Sequence, residues 1–133
     1  MNRQGLFFLL GVVFIIGVLH LMGQFLYLYW QLPMYDRVVH FLGGFFTGSA
    51  VYLFLRPWWQ THSAVSLMIS TLVLSLVVGI LWEVFEAKTG VTIMTDIGYI
   101  IDTREDIILD IVGSLVAWLF VPKQFPYPHE SKS

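Results

Sequence analysis

Residues 36–57, DRVVHFLGGFFTGSAVYLFLRP, decide the fold. Between Arg37 and Arg56 there is no Asp, Glu, Lys or Arg, and Pro57 closes the segment. In an α-helix, residues four apart fall near one face. Asp36, His40, Gly44 and Gly48 therefore share a stripe, polar at one end and without side chains further along. Apart from Arg37, Gly43, Thr47 and Ser49, the other positions up to Leu55 are aliphatic or aromatic. A helix of this kind suits a lipid bilayer, with its small residues against a neighbouring helix.

Working outward, three further stretches are long enough to cross a hydrocarbon core of ~30 Å, which takes about 20 helical residues. They cover residues 5–30, 63–87 and 107–121, the last with a polar lead-in from Asp102. The whole chain agrees: 57% of residues are hydrophobic and 12% charged, about half the ~25% usual in soluble domains, and the mean hydropathy is +0.76. The expectation is an all-α, polytopic membrane protein: a four-transmembrane-helix bundle forming a single domain over residues 1–121, followed by a polar tail at 122–133 expected to be disordered. The first apolar run is too long for a secretory leader and has no small-x-small cleavage site, so it reads as a retained helix. With no cysteine there is no disulfide or thiolate chemistry. The net charge of −2 excludes a basic nucleic-acid surface and leaves membrane lipids as the expected partners.

Glycines 5, 11, 17 and 23 lighten the first helix, and His20 is its interior titratable group, expected to hydrogen-bond within the bundle. Tyr27, Tyr29 and Trp30 suit the headgroup level, as do Trp58 and Trp59 after the second helix. The third helix is expected to start near Thr61 to Ser63, and the fourth to stop at Pro122. Residues 88–102 form the longest connection and are a candidate lid.

Asp36, His40, Glu83, Glu86, Asp102, Asp106 and Asp110 lie at the ends of three apolar segments, which chain reversal brings to one membrane face. An acid buried in hydrocarbon costs about 2.5 to 3.5 kcal/mol on insertion scales, so each needs a partner, a proton or a cation. The small-plus-polar stripe of the second helix recurs as Ser75, Gly79, Glu83 on the third and Asp106, Asp110, Ser114 on the fourth. Three helices so patterned can meet tightly beneath one polar pocket. Asp36, His40, Glu83, Asp106 and Asp110 are the candidate catalytic residues and candidate ligands of a divalent cation, Mg²⁺, Mn²⁺ or Zn²⁺ by donor type. Arg37, Glu86 and Arg104 flank them as candidate substrate contacts. A cation there would polarise a phosphoryl or carbonyl oxygen or activate water; without one, paired acids would serve as acid and base. Plainer roles compete: Asp36 as a helix cap, Asp102 with Glu105 as a capping box, Arg37 and Arg104 in interfacial salt bridges. Spacing excludes the Glu-x-x-His pairs of di-iron bundles, His-Glu-x-x-His, and a Gly-rich phosphate loop.

The run from Tyr35 through Asp36, His40 and Gly44 to Phe45, then Trp82-Glu83-Val84-Phe85-Glu86, then Asp102-Thr103-Arg104-Glu105-Asp106 with Gly113 beyond, resembles the YjdF-like family of small bacterial inner-membrane proteins. It is more distantly similar to the VanZ-like proteins, from which Asp110 and Glu86 depart. The resemblance implies a multi-pass protein of the plasma (inner) membrane with a polar site and no established reaction. Eight of the nine acids fall on the side of the first and third connections, which favours cytoplasmic termini and an outward-facing site; the basic residues divide almost evenly. Two functional readings follow. One is a metal-dependent enzyme acting on a lipid head group or lipid-linked substrate. The other is a non-enzymatic protein, an assembly factor or a small cation or proton transporter, whose acids form a structural polar network.

Overall fold

A computed structural model describes residues 3–32, 34–55, 63–92 and 97–125. Its elements are α1 (Arg3–Phe25), the short α2 (Leu28–Gln31), α3 (Tyr35–Leu55), α4 (Ala64–Thr89) and α5 (Tyr99–Gln124). Among the described residues there is no strand. α1, α3 and α4 are each long and apolar enough to cross a membrane. α5 is as long as α4, at 26 residues, but its first turns carry Asp102, Arg104, Glu105, Asp106 and Asp110.

α3 is the centre of the arrangement: it packs on α1, α4 and α5, most extensively on α5. Glycine explains that intimacy. A methyl group at Gly44 would run into the Asp110 carbonyl, and one at Gly113 would run into the Phe41 carbonyl, so each helix gives way where the other's backbone arrives. At Gly48 a Cβ would stand 2.6 Å from Ser114 Oγ. Deeper, the Ser75 and Ser114 hydroxyls are 2.6 Å apart and satisfy each other across the α4–α5 contact. Leu9, Tyr52, Leu53, Ala117 and Val121 form an apolar core toward the far end.

The ends of the helices depart from expectation in four places. The first segment is not one helix to Trp30: α1 stops at Phe25, Tyr27 takes a left-handed φ of 57°, and α2 folds back. Asp36 is not a cap, since α3 already begins at Tyr35. Asp102 does not cap α5 either: Gly98 precedes the helix, its carbonyl accepts from the N–H groups of both Ile101 and Asp102, and Glu105 pairs with Arg37 instead of closing a box. Pro122 does not stop α5, which continues to Gln124. A proline in the last turn forfeits only one hydrogen bond, and its fixed φ is already helical. At the start of α4 expectation and structure agree, the Ser63 hydroxyl accepting from the Ser66 N–H at 3.1 Å. Gly90, at φ 77°, closes that helix with its N–H on the Glu86 carbonyl. Pro57, Trp58, Trp59, Thr61, Asp96 and residues 126–133 of the expected tail lie outside the described residues.

Candidate functional site

His40 is the hub. It sits one turn inside α3, 2% exposed, with carboxylates from three helices around its ring. Nδ1 is 3.2 Å from Asp110 Oδ2. An ionised carboxylate only accepts, so the imidazole carries a proton on Nδ1, and in its neutral form Nε2 offers a lone pair. That Nε2 faces Glu83 Oε1 at 3.5 Å, Asp36 Oδ1 at 3.7 Å and Glu86 Oε2 at 4.0 Å. Asp106, 2% exposed, completes the group: ligand atoms of Asp36, His40 and Asp106 all lie within 4.8 Å of one another, as do those of His40, Glu83 and Glu86.

The two glutamates are aimed by neighbours. Thr103 Oγ1 donates to Glu83 Oε2 at 2.8 Å, which leaves Oε1 facing the imidazole. Trp82 Nε1 donates to Glu86 Oε1 at 2.9 Å, and Thr92 reaches Glu86 Oε2 at 3.4 Å. Gly79 makes room for Asp110, whose Oδ2 would stand 2.5 Å from any Cβ there. What remains is informative: Asp36 Oδ1, His40 Nε2, Glu83 Oε1 and Asp106 Oδ1 are buried with no hydrogen-bond partner among the described residues. Unsatisfied buried polar atoms cost about 1 to 3 kcal/mol each, more when charged. Two of them, Asp36 Oδ1 and Glu83 Oε1, stand within 3.7 Å of a third, His40 Nε2, and Asp106 groups with Asp36 and His40, an arrangement able to accept a cation.

The charge balance agrees. Five carboxylates face one imidazole, and Arg37 is engaged by Glu105 at half-exposed positions. Two like charges ~4 Å apart repel by roughly 4 kcal/mol at an effective dielectric of about 20, so the cluster needs protons or a cation.

Arg37, Thr92, Tyr99, Asp102 and Glu105 line a cleft of about 430 Å³, which Thr92 links to Glu86 of the cluster. Thus the expected residues Asp36, His40, Glu83, Glu86, Asp106 and Asp110 come together, and Arg37 lines the neighbouring cleft, paired with Glu105. Arg104 does not: it is exposed and does not line the cleft. Part of the expected lid contributes through Thr92, while residues 93–96 lie outside the described residues. Sequence reasoning missed Thr92, Thr103 and Trp82 as partners of the acids. Only Trp82, four residues before Glu86 on one helix face, had a readable signal.

α1 reaches the site through His20. Its Nδ1 is 2.8 Å from the Tyr29 hydroxyl, and its ring meets the edge of Trp82 at a centroid distance of 5.3 Å. Burial, with the negative charges of Asp36 and Glu86 beside it, pushes the Tyr29 phenol well above its ordinary range, so it keeps its proton. Tyr35 donates to the Leu19 carbonyl at 2.7 Å and ties the start of α3 to α1.

Residues 4–125 match the family described as "Predicted membrane protein (DUF2238)". The chain belongs to this family. No curated protein and no solved structure matches it. Membership makes the chain a membrane protein with several membrane-spanning helices.

Proposed function

We propose that this member of the family holds a divalent cation at the α3–α4–α5 cluster, and is a metal-dependent enzyme acting on a lipid head group or lipid-linked phosphate at one membrane face. The observation that carries the reading is that two ligand triads, Asp36–His40–Asp106 and His40–Glu83–Glu86, share one buried imidazole, with Asp36 Oδ1, His40 Nε2, Glu83 Oε1 and Asp106 Oδ1 buried and free of hydrogen bonds among the described residues. Metal–ligand bonds of about 2.1 Å set neighbouring ligand atoms roughly 3.0 to 3.4 Å apart. The separations of 3.5 and 3.7 Å around His40 Nε2 are close to that and need only slight contraction. Carboxylates with one imidazole suit Mn²⁺ or Zn²⁺, and Mg²⁺ if water fills the sphere.

In this reading Asp36, His40, Glu83 and Asp106 are the ligands. Asp110 holds the imidazole through Nδ1 and positions it, the role a carboxylate takes behind a metal-bound histidine. Glu86 is the spare carboxylate, suited to moving a proton, and Arg37 in the neighbouring cleft suits a phosphate oxygen. The cation supplies Lewis acidity toward the phosphoryl oxygen or a bound water. The contrasting reading, a conductor of protons or cations, gains no support. Beyond the cluster the polar groups close on each other at Ser75 and Ser114, and the far end is the apolar core around Leu53 and Val121. An assembly factor would keep the same residues without metal.

We read the family as YjdF-like, the VanZ-like proteins being a remoter likeness. α5 is a fourth crossing whose charged turns stand at the site's own face. The acids on that face favour a site exposed on the outer side of the inner membrane, with both termini cytoplasmic. Reporters fused before Arg3 and after Gln124 are expected to sit in the same compartment; opposite compartments would remove α5 as a span. The central test is metal content of the detergent-purified protein. Stoichiometric Mn or Zn in wild type, lost in His40→Ala and Asp106→Asn, supports the cation site, whereas folded, metal-free wild type overturns it in favour of a structural network.

A further inference from the structure

An apolar groove runs along the spans from this cluster toward the opposite face. Backbone packing joins α1 to α3 and α3 to α4, while α1 and α4 meet through the His20 ring against Trp82 and Phe85 without backbone contact, so a trough of about 550 Å³ stays open over α3. On α3 its wall runs from Gly43 through Ala50 to Leu55, all on one helical face; α1 supplies Val13 and Ile16, and α4 supplies Leu74, Val78 and Trp82. The polar side chain in the wall is Thr47, whose hydroxyl is spent on the Gly43 carbonyl at 3.0 Å, and the Trp82 N–H is turned away to Glu86.

The groove is continuous with the site. A small cavity of about 50 Å³ shares Ile16, Gly43, Val78 and Trp82 with it and is also lined by His40 and Asp110. From Gly43 to Leu55 the helix rises about 18 Å at 1.5 Å per residue. One leaflet is half of a ~30 Å core; the trough begins about 12 Å along α3 and ends at its last residue, so an extended tail running into it from a head at the cluster crosses the mid-plane. Its walls belong to helices long and apolar enough to lie in that core, where lipid tails are the solvent.

We propose that this groove seats one hydrocarbon chain of a phosphate-headed lipid, with the phosphate presented to the cluster. The inference rests on the cation-site reading and names its substrate class: a phospholipid or polyprenyl phosphate taken laterally from the bilayer. Gly43 lines both the small cavity and the groove, so the groove meets the cluster on the Asp110 side of the imidazole.

The test uses purified protein in phosphatidylcholine vesicles containing a phosphatidylglycerol probe with a diazirine at the end of one acyl chain, and maps the photolabelled residues by mass spectrometry. Label is expected to concentrate at Val13, Ala50 and Leu74 over the outward-facing Phe7 and Phe14, which are 69% and 70% exposed. A diacylglycerol carrying the same tail is expected to label the groove less. Ala50→Trp should abolish most groove labelling while metal content stays at the wild-type level; Val13→Trp, on the opposite wall, carries the test if Ala50→Trp does not fold. Labelling spread evenly over all lipid-facing residues, groove labelling unchanged by either tryptophan, or crosslinks to a polypeptide in place of lipid would overturn the inference. Metal-bound wild type with uniform labelling sinks the groove alone, whereas metal-free wild type sinks the cation site beneath it.

Discussion

His40 and Asp110 show how far a single contact can organise a site. Asp110 fixes the imidazole from the Nδ1 side, and the opposite nitrogen is left facing Glu83, Asp36 and Glu86. The two aspartates of α5 are therefore expected to behave differently. Asp110→Asn keeps an oxygen that accepts from Nδ1–H and is expected to weaken metal affinity by about 10- to 100-fold, as outer partners of ligands do. Asp106→Asn removes a ligand and is expected to abolish stoichiometric binding, both measurable by competition with a metal indicator. Equal affinities in the two variants would contradict the division of roles. Arg37 and Glu105, half-exposed, are a different matter: Arg37→Gln is expected to change stability by no more than about 1 kcal/mol in detergent unfolding, since exposed ion pairs contribute little.

At the scale of elements, the α3–α5 seam depends on glycines from both helices, Gly44 and Gly48 on α3 and Gly113 on α5. Gly113→Ala puts a methyl into the Phe41 carbonyl, and the helices must separate to relieve it. The expected cost is about 1 to 3 kcal/mol, the range for overpacking. Gly17→Ala on α1 meets nothing within 4 Å and should stay within about 1 kcal/mol of wild type. Thermal unfolding of the two variants in the same detergent compares them directly. The helical stripes were legible because a period of 3.6 is a local property: Asp36, His40 and Gly44, and likewise Asp106, Asp110 and Ser114, keep one face whatever surrounds them. The helix ends were less so. Asp102 looked like a cap because its neighbours fit the pattern, yet one more turn of α5 forms ahead of it, and Glu105 finds a full positive charge on another helix.

For the whole molecule, the proposed cation site would make stability and metal binding one equilibrium. Five carboxylates around a single imidazole hold together best with a cation among them, so EDTA is expected to lower the melting temperature and Mn²⁺ to restore it. A ligand at 100 times its Kd contributes about 2.7 kcal/mol. Protons compete for the same oxygens and for His40 Nε2, so the Mn²⁺-dependent increment should shrink as pH falls. An increment independent of pH would count against these ligands.

The sequence alone determined the membrane class, the helices, and which residues of each helix share a face, because hydropathy and helical period act over a few turns. Only the tertiary structure decided that three stripes share one centre, that Asp110 stands behind His40 while Glu83 stands before it, and that α1 and α4 leave a groove between them. Those outcomes depend on how closely backbones approach at Gly44 and Gly113 and on which donors, Thr103 from α5 or Trp82 within α4, reach each glutamate. Such distances between helices are set by packing, and no local pattern of residues encodes them.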